Sequence, residues 1–293
     1  MREGESAEKG ILSEEARNLA GFLPRFEDAY RRLNRREFIS PDPLEKLYLF
    51  DTVEEREVVG LAVSSIAYGR VAQILRNADR LLTVMGPSPR SFLLKTSAGE
   101  LSRLLGGFRH RFTSGGEMAS FLAGIGKTLR KYGRLESFFE DCLSRSGDIL
   151  GGAALFSGGI RAGGGLRKSF LLPSPEDGSA CKRLFLFFKW MVRSDGVDPG
   201  GWKILGPENL VFPIDVHMFR MCSCLGLTKR KSPDLKTALE VTGLFRQFVP
   251  EDPVKYDFVL TRFGIRREMD AKAFVSMCLE GDELWKERER TVE

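Results

Sequence analysis

The stretch Leu210–Met221, LVFPIDVHMFRM, carries an aspartate where an apolar approach segment turns into a helix. Aspartate is a favoured residue at this point, because its carboxylate accepts hydrogen bonds from the free amides of the first helical turn. We therefore predict that Asp215 is a helix cap. It is also a candidate catalytic carboxylate if other residues supply partners, and the two roles are compatible.

On both sides of this stretch the chain has the apolar spacing of helices, and no stretch alternates convincingly with period two. The run Val58–Ile66 is apolar nearly all round and should form a central helix. Thr52–Glu55 and Ser97–Glu100 have the spacing of capping boxes, in which a hydroxyl and a glutamate satisfy the first amides of a helix. We expect Pro24 to bend or divide a helix over residues 13–33. The sequence predicts an all-α fold.

We predict three segments along the chain. They are an N-terminal helical extension over residues 1–40, a helical domain over 41–265, and a C-terminal helix with a charged tail over 266–293. Within the domain, residues 157–179 are dense in glycine, serine and proline. They lack the glycine patterns of nucleotide-binding loops, so we predict a loop or hinge there.

Composition is that of a soluble globular protein, with 42% hydrophobic and 29% charged residues among 293. The five cysteines include no CxxC pair, which argues against a zinc ribbon or an iron–sulfur cluster. Only two histidines are present, so a histidine-rich metal site is not expected either. We expect no cofactor and no metal. The absence of a membrane-length apolar run and of an apolar signal core indicates a cytoplasmic protein with no membrane partner.

The net charge of +5 permits nucleic-acid binding without requiring it. Clustered lysines and arginines are the electrostatic footprint of a phosphate-binding surface, although such runs usually form only a solvated face. Two clusters stand out: Arg220, Lys229, Arg230 and Lys231 in the first, and Arg262, Arg266 and Arg267 in the second.

The segment Phe212–Met218, FPIDVHM, resembles the proline–hydrophobic–Asp–Val/Thr–His segment of the helix–hairpin–helix DNA glycosylases, a superfamily that includes endonuclease III. Three further strings lie in the matching order. Val59–Arg70 resembles a helix and turn from which a side chain probes the duplex. Ala180–Arg183 resembles the start of the helix with the lysine nucleophile, and Lys255–Gly264 resembles the late helix that closes the base pocket.

The match to the superfamily departs at the hairpin. Leu172–Gly178 stands where the hairpin is expected, but it is longer and has one glycine. The wide interval between Lys182 and Asp215 and the divergent hairpin are more similar to the archaeal 8-oxoguanine DNA glycosylases. Over residues 40–265 the chain also resembles a conserved bacterial family of unknown function, marked by Tyr68–Arg70, His110–Phe112 and the strings CKRL, WMVR and DPVKYDF.

The glycosylase resemblance implies two helical subdomains that flank a cleft. It implies excision of a damaged base, such as 8-oxoguanine, from double-stranded DNA, and cleavage at the resulting abasic site. Lys182 would be the Schiff-base nucleophile and Asp215 the carboxylate that stabilises positive charge on the sugar. The implied base pocket is Phe185, Tyr256 and Asp257, and the implied DNA contacts are Tyr68, Gly69, Arg70, His217, Arg220, Lys229 and Arg230.

Several of these residues also have plainer interpretations. Lys182 could be a solvated first-turn lysine, and Arg70 could bind backbone carbonyls at its turn. His217 could be a structural histidine, and Phe185, Tyr256 and Asp257 could pack in the core. At the level of the whole protein, a non-catalytic nucleic-acid-binding module with the same fold is the alternative. A structural or partner-binding protein is a third.

Overall fold

A computed structural model describes residues 12–266 and 269–280. The first residues of the predicted N-terminal extension, Arg267 of the second basic cluster and the predicted charged tail after Glu280 lie outside this range.

Helices dominate the described residues, which confirms the predicted all-α class. None of these helices is both long enough and apolar enough to cross a bilayer. They are Glu14–Leu33 (α1), Val53–Ser65 (α2), Val71–Met85 (α3), Pro89–Lys95 (α4), Ala98–Leu104 (α5), Gly115–Tyr132 (α6), Leu135–Ser146 (α7), Ile149–Gly163 (α8), Lys182–Val192 (α9), Val216–Cys224 (α10), Leu235–Arg246 (α11), Asp257–Ile265 (α12) and Ala271–Glu280 (α13). Short 3-10 turns occur at Arg36–Phe38, Pro43–Leu49, Pro175–Asp177 and Pro207–Asn209.

Two of the local sequence signals act differently from the prediction. Thr52 accepts a hydrogen bond from the Glu55 amide at 3.3 Å, which is the first half of a capping box. The Glu55 carboxylate, however, accepts from the Arg90 amide at 2.7 Å and so ties the start of α4 to α2. Pro24 lies inside α1 without dividing it, and α1 is one helix of 20 residues.

Helix α2 is central, as its apolar sequence predicts. Every residue from Glu57 to Ser65 is buried, and the helix packs against α4, α7 and α9. Buried Glu57 accepts hydrogen bonds from the Leu135 and Glu136 amides at 2.8 and 3.2 Å and from the Trp202 indole at 3.0 Å. Its carboxylate therefore caps α7 from a neighbouring helix, which fixes α7 against α2.

The predicted loop at 157–179 begins later than expected, because α8 continues through Gly163. Its glycines permit close helix packing instead. A Cβ on Gly164, just after α8, would lie 2.0 Å from the Ser120 carbonyl oxygen of α6. A Cβ on Gly124 of α6 would lie 2.1 Å from the Ile160 carbonyl oxygen of α8. The glycine-rich sequence of this segment therefore reflects close contact between two helices. A local sequence pattern cannot distinguish such a contact from a loop.

A small antiparallel hairpin interrupts the helices. Arg109–His110 (β1) pairs with Thr113–Ser114 (β2), so that Arg111 and Phe112 form the connecting turn. Arg111 has a φ of 51°, in the left-handed region that glycine or asparagine adopts more easily. Strands this short carry no period-two signal, which explains why the sequence did not predict them.

The N-terminal helix α1 packs against α11, α12 and α13, near the other end of the chain. Helix α9 packs against α2 on one side. On another, its lysines at 182 and 189 contact Asp215 before α10 and Asp257 at the start of α12. Helix α9 therefore joins the central helices to the C-terminal ones, and the candidate site lies at this junction.

Candidate active site

Lys182 and Asp215 meet at the starts of two helices. Lys182 is the first residue of α9, and Asp215 is the residue before α10. The Lys182 Nζ lies 3.1 Å from Asp215 Oδ2, with 30% and 20% of the respective side chains exposed. Asp215 Oδ1 accepts a hydrogen bond from the Met218 amide at 2.8 Å. One carboxylate thus caps a helix with one oxygen and binds an amine with the other.

The Asp215 carboxylate is held in its charged form. Burial alone would raise the pKa of Asp215, but the Lys182 ammonium and the Met218 amide outweigh burial and hold that pKa below its usual range. The pair sits where solvent reaches both groups in part, so a ligand can approach it.

A second, fully buried set of charges lies deeper along α9. Lys189 follows Lys182 by seven residues, on the same face of the helix, and its side chain is 1% exposed. Its Nζ lies 3.0 Å from Asp198 Oδ1 and 3.5 Å from Asp257 Oδ2. Burial would lower the pKa of Lys189, but the two carboxylates reverse this effect and raise it. Lys189 is therefore a buried cation. Arg193, the residue just after α9, pairs with the other oxygen of Asp198.

Asp257 is the least satisfied member of this set. Burial raises the pKa of its carboxyl to about 6, with Lys189 opposing the rise and Asp198 and Asp215 adding to it. Oδ1 of Asp257 is buried without a hydrogen-bond partner among the described residues. The predicted pocket residue thus lies behind the Lys182–Asp215 pair, as a second carboxyl that takes up a proton more readily than Asp215.

The other two predicted pocket residues lie in the core. Phe185 is 1% exposed and Tyr256 is 3% exposed. The Tyr256 ring packs near the rings of Phe26 and Phe245, and its hydroxyl donates to Glu27 of α1 at 2.9 Å. The contacts of Tyr256 are therefore with α1 and α11, and the structure does not bring it to the lysine–aspartate pair.

The predicted turn Tyr68–Arg70 lies near the candidate site through Arg183, the neighbour of Lys182. The Arg183 guanidinium stacks 4.8 Å from the centroid of the Tyr68 ring and donates to the Ser65 carbonyl at 2.8 Å. Gly69 has a φ of 97°, and a Cβ there would lie 2.8 Å from Arg111 Cδ. Arg70 is exposed and makes no side-chain hydrogen bond or ion pair with residues 12–266 or 269–280.

The basic residues after Asp215 do not form one continuous surface of unpaired charge. His217 and Arg220 are exposed on α10. Lys229 pairs with Glu14 at 2.7 Å and Glu15 at 3.1 Å, whereas Arg230 pairs with Asp234 at 3.1 Å. In the second cluster, Arg262 is buried and binds Asp42 at 2.5 Å. These partners lie on other helices and turns, so the clusters in sequence do not add up to one patch of free charge.

Sequence reasoning predicted Asp257 but missed its buried partner Lys189 and the second partner of Lys189, Asp198. The signal for Lys189 was available, because the interval of seven residues from Lys182 places both on one helix face. Asp198 lay in a turn with no pattern of its own. In the described part of the chain no group of three or more histidine, cysteine, aspartate or glutamate side chains could hold a metal ion. The five cysteines are free thiols.

Comparison with known proteins gives a family without an activity. The model of a family described as "Protein of unknown function (DUF2400)" matches residues 42–266 of the chain. Neither a search of curated proteins nor a search of solved structures gave a match. The match begins in the turn before α2 and ends just after α12, so it includes Lys182, Asp215 and the buried charges between them. The chain belongs to the DUF2400 family of proteins of unknown function.

Proposed function

We propose that this protein is a DNA N-glycosylase with AP-lyase activity, in which Lys182 is the nucleophile and Asp215 the charge-stabilising carboxylate. The proposal includes a helix–hairpin–helix type of architecture, with residues 41–265 as the glycosylase domain and two helical subdomains flanking a cleft. The observation that supports it best is the contact of 3.1 Å between the Lys182 amine and the Asp215 carboxylate at two helix starts. The resemblance of both segments to that superfamily suggests the chemistry.

The reaction needs an amine and an anion at one sugar. Lys182 Nζ first gives up a proton to water and then attacks C1′ of the damaged nucleotide. The bond from C1′ to the base breaks, and the base leaves with the electron pair and takes up a proton. Opening of the sugar ring then leaves a protonated imine between C1′ and Nζ. Loss of a C2′ proton expels the 3′ phosphate, which cleaves the strand.

Asp215 is suited to stabilise charge more than to store a proton. Its carboxyl has a pKa below the usual range, so it is ionised at neutral pH and is a weak base. Positive charge develops on the sugar as the base leaves, and a fixed anion nearby lowers the energy of that state. Because Oδ1 is fixed by the Met218 amide, the anion is oriented before the substrate arrives.

Borohydride trapping tests the proposal. The protein is incubated with duplexes that contain an abasic site or 8-oxoguanine, and borohydride reduces any imine to a stable amine. We expect a covalent protein–DNA adduct with the wild type and none with Lys182→Ala. Lys95→Ala is the control, because Lys95 is an exposed lysine of α4 outside the pocket that Lys182 lines, and it should leave the adduct yield unchanged. An adduct of equal yield in Lys182→Ala would refute the assigned nucleophile.

A non-catalytic nucleic-acid-binding protein is the second candidate, and one observation favours it. The Lys182–Asp215 ion pair satisfies both side chains without a substrate and could serve only to join α9 to α10. If the protein only binds nucleic acid, we expect no adduct with any lesion, and we expect duplex binding to weaken as the salt concentration increases. Absence of DNA binding at low salt would exclude both candidates.

A further inference from the structure

Two phenylalanines are exposed together beside the candidate site. Phe112 is 75% exposed and Phe170 is 51% exposed, and both are among the most exposed large apolar side chains of the described residues. Their ring centroids lie 6.1 Å apart at an interplanar angle of 86°. They come from different segments, the β1–β2 turn and the loop after α8, so the fold brings them together. Exposed aromatic surface that is built in this way indicates a partner.

Hydrogen bonds of His110 and Tyr68 hold the turn that carries Phe112. His110 is fully buried, and its Nδ1 accepts from the Asn77 amide at 2.8 Å, which leaves Nε2 to donate to the Tyr68 carbonyl at 3.1 Å. The Tyr68 hydroxyl donates to the His110 carbonyl at 2.9 Å and lies 2.8 Å from the Thr113 hydroxyl. A surface fixed before binding loses little conformational entropy when a ligand stacks on it.

Phe170 is fixed by a cation. The Arg183 guanidinium lies 4.3 Å from the centroid of the Phe170 ring and donates to the Phe170 carbonyl. The centroids of the Tyr68 and Phe170 rings lie 4.9 Å apart at an interplanar angle of 85°. On the other side, the Arg111 guanidinium lies 5.4 Å from the centroid of the Phe112 ring. The aromatic pair is therefore bordered by arginines, as on surfaces that bind bases and phosphates together.

The charge around the pair suits a polyanion better than an apolar partner. Arg70, Arg109, Arg111 and Lys168 are exposed on the segments that form this surface. Phe170, Arg183 and Lys182 line one surface pocket of about 680 Å³. A strand whose sugar reaches Lys182 would therefore have its neighbouring bases within reach of the two rings.

We propose that Phe112 and Phe170 form a base-stacking surface for an unpaired nucleotide of a strand bound at Lys182. The proposal rests on the nucleic-acid binding of the proposed function, but not on chemistry at Lys182. Base stacking on an aromatic ring tolerates any sequence, since each base has a π face. The surface therefore selects unstacked nucleotides in preference to a particular base.

The test measures binding without chemistry. All variants carry Lys182→Ala, and fluorescence anisotropy gives the affinity for a labelled single-stranded oligonucleotide and for its fully paired duplex. We expect Phe112→Ala to weaken single-strand binding by about 5- to 150-fold, which corresponds to one stacked base. Duplex binding should change much less. Phe112→Tyr keeps a ring and should restore the affinity.

Leu49→Ala is the control, because Leu49 is an apolar side chain with 66% exposure outside this surface. It should leave both affinities unchanged. Arg70→Ala should reduce the slope of log affinity against log salt by about 0.7, as expected for the loss of one phosphate contact with a single strand. Phe112→Ala should leave that slope unchanged.

Two results would overturn the stacking surface. One is parental single-strand affinity in both Phe112→Ala and Phe170→Ala, and the other is an equal loss for single strand and duplex. Failure of borohydride trapping together with a selective loss in Phe112→Ala would remove the proposed chemistry and leave the surface standing. Successful borohydride trapping, with no effect of Phe112→Ala or Phe170→Ala on binding, would support the proposed chemistry and remove the stacking surface.

Discussion

Asp215 performs two tasks with its two carboxylate oxygens. Oδ1 caps α10 through the Met218 amide, and Oδ2 holds the Lys182 amine. A cap accepts a hydrogen bond and does not require charge, whereas the proposed stabilisation of a sugar cation does. The two tasks can therefore be separated by substitution.

Asp215→Asn keeps an oxygen that can accept from Met218 but removes the negative charge. We expect unfolding stability within about 1 kcal/mol of the wild type, since asparagine caps helices as well as aspartate does. Base excision should fall by about 100-fold or more, as is typical when one electrostatic group at a reacting centre is lost. Asp215→Ala should lose activity and also about 1 kcal/mol of stability. Wild-type activity in Asp215→Asn, measured in single-turnover assays, would contradict the assigned role.

The raised pKa of Asp257 leads to a prediction of how the stability of the protein depends on pH. Its carboxyl has a pKa of about 6 in the folded protein, above the ordinary value of 3.8. Between these values the folded state holds a proton that the unfolded state has lost, so this group's contribution to stability falls as pH rises through about 6. Asp257→Asn cannot titrate and loses no such contribution.

The measurement is urea unfolding of the two proteins across this pH range. Relative to Asp257→Asn, the wild type should lose about 2 kcal/mol from about pH 4.5 to about pH 7.5, given roughly 1.4 kcal/mol per pKa unit. Lys189 keeps its contact with Asp198 in the variant, so the buried cation remains paired. A stability difference that does not change with pH would show that Asp257 is ionised throughout.

At the scale of elements, the glycines of α6 and α8 set the distance between the two helices. Gly124→Ala should destabilise the protein by about 1–3 kcal/mol, because the new Cβ would clash with the Ile160 backbone of α8. Gly158→Ala is the matched control. Gly158 lies inside α8 with no atom within 4 Å of a new Cβ, so alanine should stabilise the helix by about 0.5–1 kcal/mol. Thermal unfolding of both variants measures the change in Tm. Equal changes in Tm for the two variants would contradict close packing of α6 on α8 at Gly124.

The sequence predicts interactions between residues that are close along the chain better than interactions between distant elements. Helix starts at Thr52, Ser97 and Asp215 are local events, and the structure has caps at all three. The second half of the predicted box at Glu55 is not local, since its carboxylate binds the start of α4. The same reason explains the predicted loop at 157–179, where Gly163 and Gly164 pack closely on α6.

At the scale of the whole molecule, the all-α class follows from apolar spacing, but the arrangement of helices does not. The packing of α1 on α11–α13 joins the two ends of the described chain. It also brings Glu14 and Glu15 to Lys229, so this predicted basic residue is paired with acidic side chains although it stays 71% exposed. Charges that cluster in sequence were therefore a poor guide to charges that are free in space.

The candidate site shows the same limit. Motif resemblance suggested Lys182 and Asp215 as partners, and the structure places them 3.1 Å apart. The buried set of Lys189, Asp198 and Asp257 depends on contacts between three segments, so no single stretch predicted it. The exposed pair Phe112 and Phe170 likewise exists only after folding.

The proposed reaction makes Lys182 the residue that becomes covalently bonded to DNA. Peptide mapping of the borohydride-trapped adduct by mass spectrometry tests it most directly, since it identifies the modified lysine in the wild-type chain. We expect a reduced sugar on Lys182, with tryptic cleavage blocked between Lys182 and Arg183. An adduct located on any other lysine, or on the N-terminal amine, would contradict it.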